Sequence, residues 1–124
     1  MALRQGEPVF VISVAARLLE MHPQTLRKYE REGLIAPSRT TGNLRLYSDR
    51  DIERLRQVKY LVEERGLNLA GVQLALELTR RLRDARERTT RDLVAGRAAD
   101  APAVIDEFDR LLAVLGVIEE RRSL

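Results

Sequence analysis

Cysteine and tryptophan are absent from this chain of 124 residues, and histidine occurs once. Without thiols there is no disulfide, no thiolate metal site and no cysteine nucleophile. A single imidazole then leaves a transition-metal site short of ligands. Two Phe and three Tyr are the only aromatic residues, so the core must be built from Leu, Val, Ile and Ala. No run approaches the ~18 consecutive apolar residues of a membrane span. Met1 to Phe10 lacks the apolar centre of a signal peptide, so a cytoplasmic chain with no membrane partner is expected. There is no phosphate-cradling glycine loop. The acidic pairs Glu63-Glu64, Asp106-Glu107 and Glu119-Glu120 fall on predicted helix surfaces and read as solvated faces rather than acid/base machinery. Neither an enzyme nor a bound cofactor or metal is expected.

What is present is aliphatic, rich in Arg and poor in Gly, a balance that favours helices over sheets. A hydrophobic fraction of 44% with strong periodicity argues against disorder over most of the length. The length suits one compact domain, or one domain with an extended helical arm. Charge is unevenly spread. Residues 1–60 carry 11 Lys+Arg against 7 Asp+Glu, whereas residues 61–124 carry 11 against 12. The basic excess, modest in itself, lies in the half that also holds the most informative stretch, Val11 to Tyr47.

That stretch predicts two short helices, a tight break and a turn-rich, positively charged strand pair. Val9 to Ile12 suits a short strand or an apolar staple. Ser13 is positioned to cap a helix over VAARLLE, with Ala16 and Leu19 facing inward and Ala15 and Leu18 beside them. The helix gives out near Glu20-Met21, and His22-Pro23 restarts it, because proline's missing N–H costs nothing in a first turn. Leu26, Tyr29 and Leu34 can face the core, while Gln24, Thr25, Arg27, Lys28 and Arg31 remain outside. Gly33 suits a left-handed end to this helix, about residues 23–32. Residues 35–47 predict a β-hairpin, with a turn at Thr41-Gly42-Asn43 and an alternating strand Leu44-Arg45-Leu46-Tyr47.

Ser48 and Asp51 form a capping-box pair at the start of a long helix with Ile52, Leu55, Val58 and Val62 as its buried stripe and Leu61 alongside. Gly66 ends it, and Leu67-Asn68 leads into another helix whose polar end, Arg83 to Arg91, is expected to be exposed or frayed. Gly96 to Pro102 is the clearest linker. Beyond it Val104, Phe108, Leu111, Leu115 and Ile118 follow a 4-3-4-3 spacing, a heptad seam flanked by Ile105 and Leu112. A helix of about 20 residues, roughly 30 Å long, is expected there. It can fold back on its own domain or join two copies. The linker and the density of apolar side chains favour self-association.

The fold class expected is mainly α: a winged helix-turn-helix with a small β-hairpin wing in residues 1–76, then a helical connector and C-terminal dimerisation helix in residues 77–124. Double-stranded DNA is the partner such a module suits. Arg27 and Lys28 can reach base edges and phosphates in a major groove, and Gln24 and Thr25 can hydrogen-bond to bases or backbone. Arg39, Thr40 and Arg45 on the wing are natural phosphate clamps. Ser13, Arg17 and His22 complete the candidate contact set. Tyr47 either donates its hydroxyl to a phosphate or plugs the gap between wing and third helix, and Tyr29 has the same two readings. The blander alternative throughout is a solvated helix face and an ordinary polar hairpin tip. It loses weight because the turn, the proline restart and the basic hairpin arrive together.

The stretch PQTLRKYEREGLIAPSRTTGNLRLYSDRDIERL resembles the MerR family of bacterial transcription regulators. Pro23, Thr25, Leu26, Arg27, Tyr29, Glu30, Gly33, Leu34, Arg39, Gly42, Arg45, Tyr47 and Asp51 fall in register with that family's pattern, and the likeness runs from residue 11 to about 76. Val9 to Ala16, His22 to Arg27 and Asn68 to Val72 are similar to the family's heat-shock repressor branch. Lys28 fits the polar residue common at its position there. Leu44 departs from the pattern, standing where an aromatic is common at the wing, and the contact expected of that aromatic has no residue to make it. The resemblance implies a nucleoid-associated homodimer on an inverted-repeat operator. It also implies repression of chaperone operons, with an Hsp70-type chaperone as co-repressor. Activation by distorting an overlong promoter spacer is the other outcome known in the family. The absence of Cys excludes its thiolate metal-sensing branches, and little room is expected for a drug-binding domain after residue 76. Two rival classes remain: a protein-interaction module that keeps the fold without DNA binding, and an architectural DNA-bending factor.

Overall fold

The computed structural model describes residues 7–97 and 99–117. The chain divides into two compact units, Met1–Tyr60 and Leu61–Leu124. The elements follow in the order β1 (Pro8–Val11), α1 (Ile12–Leu19), α2 (Pro23–Arg31), β2 (Ser38–Arg39), β3 (Arg45–Ser48), α3 (Asp49–Glu63), α4 (Leu69–Val94) and α5 (Ala101–Val114). The mainly helical class with a small β wing is thus as expected.

In the first unit, Val9 to Val11 resolves as strand rather than staple, and it adds a third strand to the wing. The sheet order is β1-β3-β2, with both outer strands antiparallel to β3. Because Val11 pairs with Leu46, the extended backbone runs straight into α1. The helix begins one residue later, at Ile12. This corrects the expected Ser13 cap: Val11 is the N-cap, no side chain caps the helix, and Ser13 lies inside the first turn. Ala15, Ala16 and Leu19 are buried, whereas Leu18 is turned outward.

The break between α1 and α2 is made by Glu20 in the left-handed region at φ 53°, with the Met21 amide donating to the Ala16 carbonyl at 2.9 Å. Lys59 of α3 braces it, its Nζ donating to the carbonyls of Leu19 at 2.9 Å and Glu20 at 3.4 Å. A cation at the carbonyl end of a helix is stabilising both as a cap and against the helix dipole. Gly33 ends α2 at φ 77°, and the Leu34 amide closes the turn on the Tyr29 carbonyl at 3.0 Å. Arg54 then holds the Leu34 carbonyl at 2.6 Å. The wing turn spans Thr40 to Leu44, with Asn43 rather than Gly42 in the left-handed region at φ 65°. The capping box is formed as expected: Ser48 N–H donates to Asp51 Oδ2 at 2.9 Å and Asp51 N–H to Ser48 Oγ at 3.1 Å. On α3, Ile52, Leu55, Val58 and Leu61 are buried and Val62 only half so.

In the second unit, Asn68 caps α4 by accepting from the Gly71 amide at 2.9 Å. The helix runs unbroken to Val94, so its polar end is exposed, at Arg83, Asp84, Glu87, Arg88 and Arg91, and not frayed. Ion pairs Glu77–Arg81 and Glu87–Arg91 each span one turn of it, and Arg86 reaches Asp109 of α5 at 2.6 Å. The expected 20-residue terminal helix is also shorter. Its 14 residues end at Val114, where Gly116 at φ 85° lets Val117 N–H close on the Leu112 carbonyl at 2.9 Å.

The terminal helix uses one of its apolar sides within its own chain. α5 packs along α4 within the same chain through Ala101 and Leu112, both buried, with Ile105 half-buried on the same side. The flank residue Leu112 therefore lies deepest in this packing, with Ala101. Of the seam residues, Val104 and Leu111 are 40% and 42% exposed. Phe108 and Leu115 are half-buried, and Ile118 lies outside the described residues. Among the described residues, no helix is long and apolar enough to cross a membrane.

Candidate nucleic-acid interface

The sequence at the start of α2 explains why its outer face is held still. Pro23 takes the first turn, and His22 caps the helix, its Nδ1 accepting the Gln24 amide at 3.0 Å. His22 thus acts first as a cap, with the rest of its ring exposed. Leu26 and Tyr29 are buried against the interior, which commits the opposite side of the helix to solvent. Gln24, Lys28 and Arg31 are exposed there, with Thr25 and Arg27 half-buried at the margins. Ser13 and Arg17 are exposed on α1. Arg17, Arg27 and Arg31 have no ion-pair partner among the described residues. Lys28 faces Glu32 at 3.8 Å with 64% of its side chain exposed, a weak surface pairing.

The wing arginines are arranged differently. Arg39 and Arg45 are Cα partners across β2 and β3, and both turn to Glu30 on α2. Arg45 Nε donates to Glu30 Oε2 at 2.6 Å, and Arg39 Nη2 pairs with Glu30 Oε1. Arg39 also donates through Nη1 to Asn43, at 3.3 Å to the carbonyl and 3.4 Å to the side chain. The second helix, α2, and the wing are therefore tied together by one carboxylate. Thr40 is exposed, but its hydroxyl oxygen accepts the Leu44 amide at 3.1 Å, so it serves the turn before any external partner.

Burial pushes the Glu30 carboxyl up. Hydrogen bonds from Arg45 and Arg39, with the charges of both guanidinium groups, outweigh that and hold it below the usual carboxylate range. Its pKa is then lower in the folded chain than in the unfolded one. The stability it contributes is present above the ordinary carboxylate range and is lost as pH falls through the lowered value. Melting curves taken from neutral pH into acid should show that loss, and Glu30→Gln should flatten it. Parallel pH profiles for the two proteins would mean the pairing adds nothing to stability.

Burial bears on the two readings left open for each tyrosine. Tyr47 is 0% exposed and Tyr29 8%, so both are interior. For Tyr47 this selects the plug over the phosphate donor: its hydroxyl is buried without a hydrogen-bond partner among the described residues. Burial first, and then the Glu30 charge, raise the Tyr47 phenol against the opposing pull of Arg45, Arg27 and Arg39.

Three residues matter more than their place in the sequence suggested. Glu30 stood out only as one motif position, and Lys59 and Arg54 not at all. Their partners lie 9 to 40 positions away, and a periodicity argument has no access to contacts at that range. Among the described residues, no cluster of three or more His, Asp or Glu is arranged to hold a metal.

Residues 10–79 match the family described as MerR HTH family regulatory protein. The chain is 46% identical over 104 residues to a protein of Streptomyces coelicolor named "Putative heat shock protein HspR", covering 84% of this chain and 63% of that protein. It is 37% identical over 73 residues to the "HTH-type transcriptional regulator GlnR" of Bacillus cereus, covering 59% of this chain and 56% of the other. It is also 33% identical over 125 residues to the "HTH-type transcriptional repressor CarH" of Myxococcus xanthus, covering 89% of this chain and 42% of that one. The chain thus spans from under half to just under two thirds of the length of these relatives. With its helix-turn-helix, three-stranded wing and matched residues 10–79, the chain belongs to the MerR HTH family of regulatory proteins.

Proposed function

We propose that this chain is a transcription regulator that binds double-stranded DNA as a homodimer, each copy reading half of an inverted repeat, and that it represses heat-shock or chaperone genes. The observation that carries the reading is α2. Its inner side is locked by Leu26 and Tyr29, while Gln24, Lys28 and Arg31 stand exposed and Arg27 lacks an acidic partner among the described residues. A rigid helix with hydrogen-bonding and cationic groups on its open side suits a major groove. Arg17 and the wing arginines Arg39 and Arg45 suit the flanking phosphates. Affinity then depends on salt through the cations, and specificity on polar groups of α2 with DNA shape. On this reading residues 1–76 serve DNA and residues 77–124 join the copies, and repression comes from blocking polymerase.

The heat-shock assignment is supported by the likeness to the Streptomyces coelicolor protein and its name. The homodimer is supported by apolar side chains left bare on the second unit: Leu74 and Leu78 on α4, Val104, Leu111 and Val114 on α5. Such a set is unfavourable on a free monomer. An Hsp70-type co-repressor rests on the heat-shock likeness alone. Adding the chaperone should tighten operator binding at fixed salt, and an unchanged affinity would remove it.

The test is selection from a random duplex library at one stated salt concentration, read by sequencing. An inverted repeat is expected. Salt-sensitive binding with no motif would instead favour an architectural factor, and no duplex binding an interaction module. On the recovered operator, Arg27→Ala should weaken binding by about 1–3 kcal/mol, measured by fluorescence anisotropy. An unchanged affinity would take Arg27 out of the contact set.

A further inference from the structure

We propose that Glu30 sets how strongly the wing engages DNA: its carboxylate takes, inside the protein, the position of a backbone phosphate between Arg39 and Arg45. This rests on the DNA-binding reading above. Each guanidinium is bonded to a different oxygen of the same carboxylate. Two like charges directly opposite across a strand pair repel one another, and Arg39 and Arg45 hold such positions. Glu30 removes that repulsion and leaves the cluster with one net positive charge instead of two.

The exposures run in the order this role requires. Arg39 and Arg45 keep 34% and 28% of their side chains open, and Glu30, set behind them, 21%. A guanidinium has five N–H donors. Among the described residues, Arg45 commits only Nε, and Arg39 commits Nη1 and Nη2. Donors therefore remain for an external phosphate while both groups are held in place by Glu30. Glu30 is thus a positioning residue that trades raw charge for a fixed wing. An arriving phosphate meets one effective charge per wing, which lowers attraction to any duplex regardless of its sequence. A neutral acceptor at this position would hold the geometry in part and leave both charges available.

The test is the salt dependence of binding to a 30-base-pair duplex of random sequence, which needs no operator. Glu30→Gln should steepen the log–log slope by about 0.9 per wing and tighten binding about eightfold per wing at 0.1 M salt, the effect of one further phosphate neutralised at each. Circular dichroism establishes that the variant is folded. Should it not fold, Arg39→Gln and the double variant Glu30→Gln/Arg39→Gln carry the same comparison without the like-charge pair. The double variant should show the steeper slope of the two by the same amount. Equal slopes in either pair, with the native chain binding normally, would overturn the role of Glu30 and leave the DNA reading standing. Absence of salt-dependent binding by the native chain would overturn the DNA reading itself, and the role of Glu30 with it.

Discussion

Tyr47→Ala is expected to lower the unfolding free energy by about 3–5 kcal/mol, the range for removing a large buried ring, while Tyr47→Phe leaves it unchanged or raises it. Tyr47 is among the largest side chains wholly enclosed in the protein, and it sits on the central strand of the wing. Truncation therefore opens a cavity where β3 meets the interior. Its hydroxyl works the other way. Buried without a partner among the described residues, it costs about 1–3 kcal/mol as an unsatisfied polar group, and phenylalanine removes that cost while keeping the ring. Urea unfolding of the three proteins measures both effects. DNA titration of the phenylalanine variant separates the two roles read from the sequence. Unchanged affinity is expected of a plug, whereas a clear loss would restore the phosphate donor.

The second large effect divides two neighbouring leucines. Leu112→Ala should destabilise the second unit by about 2–5 kcal/mol, because Leu112 is 0% exposed in the packing of α5 on α4. Leu111→Glu should leave the monomer folded, since Leu111 is 42% exposed, and dissolve the proposed dimer. Sedimentation equilibrium with thermal unfolding distinguishes them. A Leu111→Glu protein that remains dimeric would move the contact elsewhere on the outer face, with Leu74, at 59% exposure, the next position to charge. A Leu112→Ala protein of native stability would contradict the packing itself.

These cases mark how far the sequence carried. The helix-turn-helix was legible because its determinants are local. A proline at the first turn of α2, a glycine at φ 77° after it and a reciprocal Ser48–Asp51 cap act within four residues of where they stand. The outward face of α2 was legible too, since Leu26 and Tyr29 fix its orientation by spacing alone. The first cap was misjudged for the same reason in reverse. Ser13 is a good cap by local rule, but Val11 is held in a strand by Leu46, 35 positions on, and that pairing decides where the helix can begin.

The C-terminal helix shows a different limit. Periodicity marks which residues share a face, and it marked two overlapping apolar faces on α5. It does not say which of them the chain uses for itself. Packing against α4 buried Ala101 and Leu112 and half-buried Ile105, Phe108 and Leu115, beside the partly exposed Arg86–Asp109 pair. Val104 and Leu111 were left outside.

The sequence by itself therefore determined the order of elements, the family and the exposed polar face of α2, all of which follow from caps, breaks and spacing within a turn or two. Only the tertiary structure decided that Tyr47 is enclosed, that one side of α5 packs on α4 and that Glu30 holds both wing arginines. Each of these depends on residues brought together from different elements, and a contact between distant positions leaves no trace in local periodicity.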